Sequence, residues 1–213
     1  MAKKEAPISA LQQFLPPNTY EPVLAYLQHY KVHLTVARER KSILGDYRHR
    51  IQGQTHRISV NGNLNTYAFL ITLLHELAHL LTFEQFGNRV ASHGKEWKGI
   101  FGQLLAQFIQ RDVFPEDIRA ALAHSLHDPA ASSCADEGLL RTLHRYDKGK
   151  DNIVFVENVP EGSLFKTHDG RVFRRGEKMR KRFRCDEVST GRVYLFSGLY
   201  EAEPVNPQEG GKL

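Results

Sequence analysis

Only two cysteines, Cys134 and Cys185, occur in the 213-residue chain. They are too few and too far apart for a disulfide framework or a four-cysteine zinc site, and a reducing cytoplasm is the expected compartment. A long apolar run is also missing. The opening stretch MAKKEAPISALQQFLPP starts basic but holds no continuous apolar core, and the most apolar region, Tyr67 to Leu81, is broken by His75, Glu76 and His79. Neither a signal peptide nor a membrane span is therefore expected, and no membrane partner. There is no internal repeat and no low-complexity tract. The formal charge of +5 is modest, so its distribution matters more than its size.

The length accommodates one large domain or a main domain with a small appendage. HDPAASSCADE, residues 127–137, reads as a linker, which places one domain at 1–126, a second at 138–205 and a flexible tail at 206–213. In the first part, segments near Ile8 to Phe14 and Glu21 to Tyr30 have helical apolar spacing, while VHLTVA, ILGDYR and THRISV alternate as half-buried strands do. Longer helices follow: about Asn65 to Phe86, ended by Gly87; about Gly94 to Arg111, with Trp97, Phe101, Leu104 and Phe108 on one stripe; and a third starting near Pro115. A short helix near Glu137 to Tyr146 leads into strand-like pieces. SLFKTHDGRVFRR reads as a hairpin turning at Asp169 and Gly170, and RFRCDEVSTGRVYLF as another turning near Thr190 and Gly191. The expected core of this second domain is Phe155, Phe165, Phe173, Phe183, Val193 and Leu195.

The chemistry concentrates in HELAHLLTFEQFGNRVASHGKEW, His75 to Trp97. His75 and His79 are four apart, about 40° apart on one helix face, so both imidazoles can reach one ion. Glu76 beside them can deprotonate a water on zinc without being a ligand. Catalytic zinc takes three protein ligands, so a third is needed. Gln85 stands where a metzincin would have its third histidine, which excludes that class. Glu84 lies about 140° round the helix from His79 and points away. The helix climbs about 10 Å from His79 to Phe86. The six residues Gly87 to Ser92 can span about 20 Å back, so His93 can return to the metal. Glu96, one turn inside the next helix, is the less favoured alternative.

HELAHLL followed by HGKEW, with THRISVNGNLN ahead of them, resembles the SprT-like zinc metalloproteases over roughly Val32 to Arg111. The resemblance implies one zinc per chain held by His75, His79 and His93, with Glu76 as catalytic base. It also implies a protein or peptide substrate, and, by likeness to the eukaryotic Spartan members, proteins attached to DNA. The expected fold is α+β: a helical, zincin-like domain with a small three-stranded sheet, plus a small β-rich domain resembling a zinc ribbon without its cysteines. THRISV is the strand expected to take an extended substrate by edge pairing. No oxyanion-stabilising group is singled out; Tyr67 and the histidines outside the motif all remain open.

Arg171 to Arg184, RVFRRGEKMRKRFR, carries eight Lys or Arg and one acid. Arg174, Arg175, Lys178, Arg180, Lys181 and Arg182 are the candidate phosphate contacts, with interleaved aromatics able to stack on unpaired bases. Period-two alternation offers the opposite reading, in which Phe173 and Phe183 turn inward as core. The second function the sequence supports is accordingly a nucleic-acid-binding module with a structural, non-catalytic zinc.

Overall fold

In the computed structural model, which describes residues 7–40, 42–51, 54–125 and 136–205, the alternating segments of the N-terminal region become a three-stranded sheet. Its strands are β1 (His33–Ala37), β2 (Gly45–Arg48) and β3 (Arg57–Asn61), in the order β1-β3-β2. β3 lies parallel to β1 and antiparallel to β2. THRISV therefore forms the central strand, and the edge role expected of it is not available. Both of its backbone edges are already committed to neighbours, and the edge next to the site belongs to β2.

Five α-helices are described: α1 (Tyr20–His29), α2 (Thr66–Phe86), α3 (Lys95–Ile109), α4 (Glu116–Ser125) and α5 (Glu137–His144). Ile8–Phe14 is a 3-10 helix instead of an α-helix. It is short and runs into Pro16 and Pro17, which remove the backbone donors a further turn would use. α2 begins at Asn65, whose side chain accepts from the Ala68 N–H at 2.9 Å, and ends at Gly87, whose positive φ of 62° suits glycine. Its apolar residues run round the whole helix, and residues from Ala68 to Ala78 are buried without interruption. By length and composition α2 would cross a membrane, but 72% of its most apolar window is buried inside the protein, so core packing accounts for that apolarity. α3 contributes the expected stripe, with Trp97, Phe101, Leu104, Leu105 and Phe108 buried against this core.

The chain divides into two compact units between Asp147 and Lys148. This moves the boundary expected at residues 127–137. The reason is α5, whose Leu139 and Leu143 are buried in the first core and whose amphipathic face is spent there. Residues 127–135 of the expected linker and the tail 206–213 lie outside the described residues.

The second unit is a six-stranded antiparallel sheet. Its strands are β4 (Val154–Phe155), β5 (Leu164–Lys166), β6 (Val172–Met179), β7 (Arg182–Glu187), β8 (Val193–Ser197) and β9 (Glu201–Val205), in the order β4-β9-β5-β6-β7-β8. Both expected hairpins form, β5–β6 and β7–β8. Phe165, Phe173, Phe183 and Cys185 are buried together, but Val193 and Leu195 are each 53% exposed. Register explains the exchange. Phe183 pairs with Phe196 and Cys185 with Tyr194, and directly opposed residues share a face, so Tyr194 and Phe196 turn inward and their neighbours outward.

One polar clamp fixes the approach to β2. Asn61, 1% exposed, donates from Nδ2 to the carbonyls of Arg40 and Ile43, both at 3.0 Å, and its Oδ1 accepts from Arg40 Nε at 2.8 Å. Its backbone N–H donates to Leu44 O at 2.9 Å. Asn61→Ala removes three side-chain hydrogen bonds, all part-buried, and should cost roughly 1–3 kcal/mol. A urea melt should show this as a lower midpoint at a nearly unchanged slope.

Candidate metal centre

α2 delivers His75 and His79 from successive turns of one face, as a spacing of four requires. His93 arrives from the turn just before α3. It does not cap that helix: the N-cap is Gly94, with no side-chain capping bond. The three Nε2 atoms converge, His75 to His79 at 3.2 Å and His75 to His93 at 3.3 Å. One donor atom from each residue lies within 4.8 Å of the other two. Nitrogen ligands at about 2.0–2.1 Å from a tetrahedral zinc stand about 3.3 Å apart, so this donor set fits such an ion. Glu96 is not part of the cluster; its Oε1 lies 3.9 Å from Lys95 Nζ. Glu84 faces away from the histidines, toward Arg50 at 3.1 Å and His56 Nε2 at 3.3 Å.

The environment favours neutral imidazoles, the ligating form. Burial, then the neighbouring His79 and His93, lowers the His75 pKa to about 3. Burial followed by His93 lowers His79 to about 4, and burial lowers His93 as well. Glu76 is 4% exposed. Its pKa is raised to about 8 by burial and by the Asp46 carboxylate, with Arg40 opposing. A cation held at the three nitrogens would act in the opposite direction and favour the carboxylate.

Two aromatic side chains complete the walls. Trp97, fully buried, sets its ring 4.7 Å from His75, 5.3 Å from His79 and 4.7 Å from His93, centroid to centroid. One residue of α3 thus packs against all three imidazoles and limits their rotation. Tyr47 of β2 lies parallel to the His79 ring at 6.4 Å, and its hydroxyl is 3.0 Å from His56 Nδ1. With His56 Nε2 facing the Glu84 carboxylate, Nδ1 is the natural acceptor for the tyrosine proton. The Nε2 to Oε1 separation of 3.3 Å is a close contact without hydrogen-bond alignment. Sequence reasoning missed Tyr47 and His56, because nothing in their local spacing marks them; only the β2–β3 pairing brings them beside α2. Tyr67 instead packs on Phe114 and Tyr146, at 6.3 and 5.0 Å.

In the second unit the six candidate cations fall into two groups. Arg174 donates to Gly162 O at 2.9 Å, and Arg175 pairs with Glu161 at 3.3 Å while its guanidinium sits 4.5 Å from the Phe183 ring centroid. Lys178, Arg180, Lys181 and Arg182 are exposed around the β6–β7 turn. Phe173 and Phe183 are 0% and 3% exposed, so they are core and cannot stack on bases. The inward alternation of the strands decides this.

Residues 20–119 match the SprT-like family model. Among curated proteins, the chain is similar to Protein SprT of Shigella boydii, 38% identical over 77 residues, which is 29% of this chain and 46% of that one. It is similar to Protein SprT of Escherichia coli O1:K1, 41% identical over 63 residues, covering 24% and 38% of the two chains. Protein SprT of Yersinia pseudotuberculosis is 64% identical over 31 residues, 15% of this chain and 18% of that one. The chain thus spans less than half the length of these relatives. No solved structure matches significantly.

The geometry separates the two candidate third ligands. His93→Ala should lower zinc affinity by more than the roughly 10–100-fold typical of an outer-shell change, whereas Glu96→Ala should leave it near wild type. Zinc titration against a chelator, with elemental analysis of the purified variants, reads both.

Proposed function

The chain carries a SprT-like domain over residues 20–119, and from that premise we propose that it is a zinc-dependent peptidase. The convergence of His75, His79 and His93 with Glu76 buried beside them carries the reading. Zinc, when bound, would supply a Lewis acid that acidifies water and polarises a carbonyl. The chain's own residues do the rest. His75, His79 and His93 offer three neutral nitrogens and leave a tetrahedral ion one open position. Glu76 accepts a proton from the attacking water as the new C–O bond forms and then passes it to the amine nitrogen, so that the peptide C–N bond breaks with a neutral amine leaving. β2, which pairs only with β3 among the described residues, offers a free backbone edge for an extended substrate.

A structural zinc in a binding module is the second reading. Such a site closes its fourth position with another Cys or His and has no need of a buried carboxylate. Among the described residues the cluster contains three histidines and no fourth such donor, which favours the peptidase.

For the second unit we propose contact with nucleic-acid phosphates through Lys178, Arg180, Lys181 and Arg182, with Arg174 and Arg175 contributing mainly to the fold. DNA-associated proteins are the substrate class this combination suggests. We read the sheet as a counterpart of a zinc ribbon in which Phe165, Phe173 and Phe183 take the place of metal. The buried free thiol of Cys185 is compatible with a reducing cytoplasm.

Glu76→Gln keeps size and hydrogen bonding but removes the base. Peptide hydrolysis should fall by about 10² or more while zinc content and thermal stability persist. Casein and a DNA-bound protein are the assay substrates. A variant as fast as wild type would sink the mechanism.

Neutralising Lys178, Arg180, Lys181 and Arg182 together should weaken DNA binding and flatten its dependence on salt, by up to about one unit of log–log slope for each phosphate no longer neutralised. Equal binding and an equal slope would return these charges to a solvated face.

A further inference from the structure

Gly45 opens β2 and pairs with Val60 of β3. Its φ is not in the left-handed region, so its backbone suits any residue. Space is the difficulty. A Cβ built on Gly45 would stand 2.5 Å from Glu76 Oε1, 2.9 Å from Glu76 Cγ and 2.8 Å from Thr72 Cγ2. Real Cβ atoms do not approach that closely, so either the strand or the glutamate would have to move.

The strand is poorly placed to move. On one side β3 holds it by antiparallel pairing from Gly45 to Arg48. Just ahead of it, Leu44 O accepts from the Asn61 N–H at 2.9 Å, and the Asn61 side chain holds the carbonyls of Arg40 and Ile43. Thr72 and Glu76 belong to α2, whose backbone is locked in the core, and Thr72 is itself fully buried, with a β-branched side chain that has few arrangements open to it. The Glu76 carboxylate is the end of a flexible side chain and is the part that would yield.

We propose that Gly45 is a positioning residue for Glu76. By lacking a side chain it lets the edge strand close directly over the carboxylate, so that the backbone of β2 forms one wall of the glutamate's pocket and limits it to the arrangement beside the three histidines. The same close approach brings the free edge of β2, where a substrate strand would pair, alongside the base. Its role in turnover rests on the peptidase reading; the contact itself does not.

The test is a double-mutant cycle with two readouts on the full chain. In the metal-free protein, Gly45→Ala should lower Tm in the wild-type background and cost clearly less in the Glu76→Ala background, where the clashing carboxylate and Cγ are gone. Should Gly45→Ala fail to fold, Glu76→Ala together with Thr72→Ser, which removes the Cγ2 that a Cβ would also meet, should restore folding. Equal costs in both backgrounds would overturn the proposal. In the zinc-loaded protein, Gly45→Ala should reduce kcat by roughly 10–10²-fold with KM within about twofold, as expected when a catalytic group is displaced by a fraction of an ångström to an ångström. Zinc content should stay at wild-type level. Adding Gly45→Ala to Glu76→Gln should cause no further loss; a full additional loss would mean a general structural defect and overturn the positioning role. A wild-type chain that cleaves no substrate would overturn the peptidase reading alone, and the stability cycle would still decide whether Gly45 places Glu76.

Discussion

Two imidazoles and a carboxylate sit within the long, mostly apolar stretch of α2, and burying such groups is costly unless something compensates. That cost organises the first unit. The three Nε2 atoms converge so that one shared cation would satisfy all of them at once. The same cost explains why Trp97 and not a polar residue lies against the rings, since a dry wall keeps the imidazoles neutral. The long helix itself is made secure by its Asn65 cap and by a core that surrounds it. The two histidines and the glutamate carried on such an element keep their mutual geometry without help from loops, and His93 joins them from the turn before α3.

The sheet supplies what the helix cannot. β2 comes close enough to α2 for Gly45 to touch Glu76 and for Tyr47 to face His79, and the Arg40–Asn61 clamp holds the chain that leads into it. Position, not composition, gives these residues their significance. The buried Asn61 side chain is fully paired with part-buried partners, so the clamp specifies where β2 enters at little net cost.

In the second unit the same run of sequence serves two purposes. Its aromatics build the core of a small sheet, and its cations divide between internal contacts and the exposed β6–β7 turn. The outward face carries aliphatic and basic side chains, and the buried rings of Phe173 and Phe183 are not available for stacking on bases.

Much of this was legible in the residues themselves. HELAH on a helix required two histidines on one face with a glutamate beside them, because helical periodicity places i and i+4 on one face whatever the rest of the fold does. The Asn65 and Gly87 boundaries and the two hairpin turns were equally local. What could not be read locally were the choices made between segments. β3 became the central strand because strand order depends on long-range pairing. Tyr194 and Phe196 displaced Val193 and Leu195 from the core because register across the hairpin sets the parity of a strand whose two faces both carry apolar residues. α5 joined the first unit through Leu139 and Leu143, although a linker-like stretch precedes it. Spacing allowed His93 to reach His75 and His79, but the turn before α3 was needed to bring it into their cluster in preference to Glu96. The reason is common to all four: local sequence sets which atoms a segment can present, and only packing between distant segments, with its loop-closure and burial energies, decides which partner they meet.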